Sequence, residues 1–159
     1  MKLNLGRTML GLILVAMLAS LAPEARANSC SLANSSGQYG FTLTGVLILP
    51  TGPVPIAAVG RVRLDAAGNA SGTESRSVGG EFADETFIGT YSVNADCTGS
   101  ATINFYESGQ LVRTSVLSMV FDANNREIRM VQKSLQLPDG AFLPVVVTVE
   151  AKRIFTEDD

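Results

Sequence analysis

From residue 39 onward, apolar and polar side chains alternate with a period of two, and clusters of turn-forming residues break the alternation. Val62 and Leu64 alternate with Arg61 and Arg63, Ile103 and Phe105 with Thr102 and Asn104, and Val145, Val147 and Val149 with Val146, Thr148 and Glu150. Successive side chains of a strand point to opposite faces, so each segment buries one face and exposes the other. No stretch shows the three-to-four apolar spacing of an amphipathic helix. Turns are expected at 65–69, 94–99, Ser108-Gly109, 122–125 and Pro138-Asp139-Gly140. Short links of this kind join antiparallel neighbours. The segments 39–49, 56–64, 70–79, 85–93, 100–107, 110–121, 127–137 and 141–155 are therefore read as strands. They predict an all-β fold, a single antiparallel up-and-down β-barrel of about eight strands, with a β-sandwich as the alternative. Closure is favoured because no link is long enough for a crossover and because a barrel has no exposed edges. Segment 70–79 offers almost nothing to a core and is expected to fray or lie at an edge. Pro50, Pro53 and Pro55 with Gly52 read as a rigid loop.

Residues 1–27 have the layout of a cleaved signal peptide. Lys2 and Arg7 charge its start, Met9 to Leu21 is its apolar core, and Ala25-Arg26-Ala27 is its cleavage site, so the mature chain starts at Asn28. Residues 28–159 are then expected to form one β-barrel domain, secreted or periplasmic. Lipidation at Cys30 is disfavoured, because Ala27-Asn28-Ser29 is polar and Arg26 interrupts the apolar approach. Cys30 and Cys97 are the two cysteines of the chain, and in an oxidising compartment they are expected to form a disulfide. Two unpaired thiols are the alternative.

The chain holds 12 Lys and Arg against 15 Asp and Glu, a formal charge of −3, and loss of the leader makes it more acidic. Its basic residues are scattered, which argues against a nucleic-acid partner or an anionic membrane. After the leader no apolar run reaches spanning length, so no stable membrane insertion of the mature chain is expected. Histidine is absent. That removes Ser-His and Cys-His nucleophilic chemistry and the usual zinc sites. No spacing suits calcium, and no metal or cofactor is expected. Glu81, Asp84 and Glu85 form one acidic cluster, read as a solvated loop. Lys133 and Lys152 lie on strands with their charges outward, unsuited to a Ser-Lys dyad. No catalytic residue stands out; a small isomerase or cyclase that shapes an apolar substrate is the least implausible enzyme.

The segment Gly89-Thr90-Tyr91-Ser92-Val93-Asn94-Ala95-Asp96-Cys97-Thr98-Gly99 resembles the Gly-Thr-Tyr-x-Val-x-x-Asp-Cys-Thr-Gly hairpin of small, largely uncharacterised secreted bacterial proteins. Cys30, Tyr39-Gly40-Phe41 and the 65–69 turn extend the likeness over most of residues 30–105. The resemblance implies a barrel similar to the calycin and allene oxide cyclase type and carries no active-site residues with it. A barrel of eight strands is either filled by side chains or just wide enough for one small ligand. Parity puts Tyr39, Phe41, Phe87 and Tyr91 inward or at a mouth, and likewise Phe105, Leu117, Met119 and Phe121. Ordinary core packing explains the same residues. A non-enzymatic barrel that binds a small apolar molecule is thus the leading expectation. The alternative is a structural or surface-interaction envelope protein with a filled barrel. The sequence leaves the oligomeric state open.

Overall fold

The computed structural model describes residues 30–122 and 125–154; the expected 1–27 leader and Ala27–Asn28 cut lie outside them. Within these residues a short helix, α1 (Leu32–Ser35), precedes nine strands. In chain order they are β1 (Gly37–Leu49), β2 (Gly52–Leu64), β3 (Asn69–Val78), β4 (Glu81–Val93) and β5 (Thr98–Glu107), then β6 (Gln110–Asp122), β7 (Glu127–Gln136), β8 (Phe142–Leu143) and β9 (Val145–Arg153). Each strand from β1 to β7 pairs antiparallel with the next, β7 also pairs with β9, and β9 pairs with β1. The sheet therefore closes into a barrel of eight long strands, and the two-residue β8 lies against the end of β7. The sandwich alternative does not apply.

Parity decides which side chains fill this barrel. Leu64, Tyr91, Ile103, Phe105, Val147 and Val149 are buried, with Val62, Val93 and Val145 packed against them, while Arg61, Arg63 and Glu150 face solvent. Two β-bulges interrupt the alternation. One opposes Phe105 and Tyr106 to Arg113 and Leu111, leaving Val112 as the extra residue, and the other leaves Lys133 extra between Gln132 and Ser134. After the second, the inward series of Ile128, Met130 and Gln132 continues at Leu135. Glycine matters at two wall positions. A Cβ on Gly60 would lie 2.6 Å from the Phe41 ring, and one on Gly72 would overlap the Phe87 ring. The bare backbone there lets both rings lie against the sheet.

Three expectations need correction. The segment at Gly52, Pro53 and Pro55 is the start of β2, not a loop, and only Pro50 and Thr51 connect it to β1. Pro55 presents its carbonyl to Gly79 N at 2.9 Å, so its missing donor faces past the end of β3, where a sheet tolerates proline. Segment 70–79 is neither frayed nor an edge: β3 pairs along its length with β2 and β4. Backbone bonding on both sides holds it, together with buried Ala70 and Glu74. Finally, 141–155 is not one strand. Pro144, which has no N–H to donate, divides β8 from β9, and its carbonyl accepts from Ile48 N at 2.8 Å.

One end of the barrel is plugged. Cys30 and Cys97 form a disulfide with Cα atoms 5.0 Å apart, tying α1 to the β4–β5 turn across 67 residues. The wholly buried Tyr39 hydroxyl lies 2.8 Å from Ser35 O and 2.9 Å from Asn125 O, and accepts from Arg153 Nη2 at 3.0 Å. Arg153 also donates to Asn34 O. Beside this plug, Asp65 accepts from Ala67 N, Asn69 N and Asn69 Nδ2, shaping the 65–69 turn as its sequence predicts. The Tyr91 hydroxyl donates to Asp65 O at 2.7 Å. The β1–β2, β3–β4, β5–β6 and β7–β8 links mark the opposite end, the mouth. Replacing both Cys30 and Cys97 by serine is expected to lower unfolding free energy by about 4 kcal/mol on the chain-entropy account. Phe105→Ala is expected to cost about 3–5 kcal/mol. Denaturant melts of the two variants check both values.

Candidate functional site

The inward side chains leave an internal cavity of about 70 Å³, enough for more than one water-sized occupant. Its apolar wall holds Phe41, Phe87, Phe105, Leu117, Met119 and Met130. Phe41 and Phe87 meet edge-on with ring centroids 6.0 Å apart, and Phe87 and Phe105 lie tilted at 5.3 Å. Such pairs stabilise beyond their buried area. Here they also make a continuous aromatic surface from β1 across to β5.

Further aliphatic side chains complete that wall, and the polar part of the lining is Glu74, Arg113, Ser115 and Gln132. Along β4 the buried Glu85 stands two residues nearer the mouth than Phe87, and along β6 Arg113 precedes Ser115, Leu117 and Met119. The charges therefore sit on the mouth side of the aromatics. Arg113 grips both carboxylates, Glu74 Oε1 through Nη2 at 2.7 Å and Glu85 Oε2 through Nη1. Arg76 pairs through Nε with Glu85 Oε1 and through Nη2 with Glu107 at 3.4 Å. The Arg113 guanidinium also stacks on the Phe105 ring, 3.8 Å from its centroid. Both Glu85 oxygens are thus engaged, whereas buried Glu74 Oε2 has no hydrogen-bond partner among the described residues.

Electrostatics separates the two carboxyls. Burial lifts Glu74 above the ordinary glutamate range, Arg113 offsets only part of this, and neighbouring Glu85 adds to it. Burial also pushes Glu85 upward, but Arg113 and Arg76 outweigh it and hold the group below its usual value. At the plugged end burial raises Tyr39, partly countered by Arg153, and pushes Tyr91 up to about 12.

Of the eight side chains expected at a ligand site, Phe41, Phe87, Phe105, Leu117 and Met119 line the cavity. Tyr39, Tyr91 and Phe121 are buried but do not line it; the two tyrosines hold the plugged end. The acidic cluster is not a solvated loop. Glu81, Asp84 and Glu85 all belong to β4; Glu81 and Asp84 are exposed, Asp84 accepting from Ser75 Oγ, while Glu85 is inside. Glu74, Arg113, Ser115 and Gln132 line the cavity as well, in addition to the residues expected from the sequence. Parity contained the signal, because Glu85 shares a face with Phe87 and Tyr91, and Arg113 shares one with Met119 and Phe121. Among the described residues no group of three or more His, Cys, Asp or Glu could hold a metal ion, and no helix is long and apolar enough to cross a membrane.

The sequence matches no protein-family model and none of the curated proteins. Among solved structures it is similar to a redesigned β-barrel, mFAP1, bound to DFHBI, with a TM-score of 0.50 and 14% identity over 77% of this chain and 98% of that one. It is also similar to EF1p2_mFAP2b bound to DFHBI, with a TM-score of 0.53 and 11% identity over 78% of this chain and 100% of that one. The likeness is one of fold. It places this chain among small antiparallel barrels of eight strands.

The opposite shifts of the two carboxyls make a pH test. A folded-state pKa raised above the unfolded value means that the native protein binds the proton more tightly, so Glu74's contribution to stability falls as pH rises through the interval between them. Glu74→Gln lacks that loss and should gain on wild type as pH rises from the ordinary glutamate range. Glu85, with its lowered value, contributes stability that is present above the ordinary range and lost as pH falls through the folded value. The penalty of Glu85→Gln should therefore shrink on acidification. Denaturation midpoints over a pH series check both signs.

Proposed function

We propose that this protein is a secreted or periplasmic, non-enzymatic barrel that holds a small apolar molecule in its interior. One observation carries the reading: an interior, mostly apolar cavity with an aromatic wall and a few convergent polar groups, the usual form of a small-molecule site. Phe41, Phe87, Phe105, Leu117 and Met119 are its proposed ligand contacts. Two designed barrels of similar fold are bound to the dye DFHBI, which supports ligand binding as a use of this architecture. The Cys30–Cys97 disulfide supports an oxidising compartment, in keeping with the leader. Export and the likeness to calycin-type secreted barrels belong to this proposal. The exterior carries Arg61, Arg63, Asp84, Lys133 and Glu150 around a mostly apolar inside, the reverse of a membrane-spanning barrel.

A second reading, surface interaction, draws on Val59 and Phe82, which are 58% and 68% exposed and line one outer groove. Titration with an environment-sensitive aromatic fluorophore separates the two readings. The interior reading expects a saturable blue-shifted signal that Ala101→Leu abolishes, because Ala101 lines the cavity and a larger side chain there fills it. A saturable signal lost in Phe82→Ser but kept in Ala101→Leu would favour the outer surface.

A further inference from the structure

We infer that the cavity selects a small aromatic or similarly compact apolar molecule bearing one neutral hydroxyl, which seats on the free oxygen of Glu74. The inference rests on the binding function proposed above and names its ligand class. Glu74 is 4% exposed and lines the cavity, and its Oε1 is held by Arg113 while Oε2 has no partner among the described residues. A buried carboxyl oxygen left without a partner is costly, and a ligand group that satisfies it recovers that cost on binding. Among the described residues no side chain donates to it: the adjacent Glu85 carboxylate is an acceptor that spends both oxygens on Arg76 and Arg113, and Gln132 donates to Ser115 Oγ at 2.9 Å and to Ser134 O at 3.1 Å.

Charge narrows the choice of head group. Glu107, which also pairs with Arg76, is 45% exposed and faces solvent, whereas the inner members Arg76, Arg113, Glu74 and Glu85 balance when all are ionised, so an ammonium head inside would add an uncompensated charge beside Arg113. A carboxylate head would face the carboxyl oxygens of Glu74 and Glu85. A hydroxyl suits the site in either protonation state of Glu74, since it donates to the carboxylate and accepts from the carboxylic acid. The aromatic chain of Phe41, Phe87 and Phe105 on the other side of the cluster supplies the surface for a ring.

Phenol, toluene, benzoate and benzylammonium share one ring and differ in the head group. Titrated into the purified, disulfide-intact protein at neutral pH with chemical-shift readout, phenol should bind about 10- to 100-fold tighter than toluene. Benzoate and benzylammonium should bind more weakly than phenol. In Glu74→Leu the preference of phenol over toluene should collapse, and continued toluene binding shows that the variant is folded with its cavity intact. If that variant does not fold, the wild-type series decides alone. Toluene binding as tightly as phenol, or phenol preference retained in a folded Glu74→Leu, would overturn the hydroxyl inference and leave the apolar-binding reading standing. No interior binding by any of the four would overturn both.

Discussion

The pairing of β9 with β1, running from Tyr39↔Arg153 to Leu47↔Val145, is the constraint on which the other features rest. The long strands other than β3 each have one largely apolar face, and in an open sheet those faces would need a second layer that the described residues do not provide. Closure makes each face the partner of the others and removes the two edges at once. The same pairing brings Arg153 onto Tyr39, and Tyr39 joins α1 to Asn125. Sealing one end of the cavity is thus a direct consequence of joining the first strand to the last. The disulfide reinforces that seal by holding α1 beneath the β4–β5 turn.

Closure also creates a difficulty. An inward position in a barrel is cut off from water whatever side chain occupies it, and here Glu74, Glu85 and Arg113 are all inside. Removing such charges from water costs several kcal/mol each unless close partners and hydrogen bonds compensate. Glu85 is compensated twice over by Arg113 and Arg76. Glu74 is compensated through one oxygen only. Satisfied charges fix the cluster in place, and the incomplete one gives the cavity a directional feature that a purely apolar interior would lack.

Much of this was legible in the sequence. The alternation around Val62, Ile103 and Val147 locates the core face, the 65–69 residues mark a turn, and two cysteines behind an expected export leader point to their disulfide. Parity holds for polar residues as well. Glu85 lies in register with Phe87, yet a local run of acidic side chains reads as solvated until the closing strands are placed around it. The burial of Glu74 was harder to foresee, since Ser71, Thr73 and Ser75 around it carry no apolar pattern and β3 is held by backbone pairing. The bulges at Val112 and Lys133 leave no composition signature, so the switch of the inward series to Leu135 emerges only from the register. Pro53 and Pro55 read as loop residues yet belong to β2, because their missing donors point beyond the end of β3.

The central claim is that the interior of the closed barrel, and not its outer face, is the binding space. Xenon tests this most directly, since it enters apolar cavities without needing hydrogen bonds. In methyl NMR spectra under xenon pressure, the account predicts saturable shifts at Leu117, Met119 and Met130, which line the cavity, and little change at the exposed Val131 and Val146. Shifts confined to Val131 and Val146, with Met119 and Met130 unmoved, would contradict it.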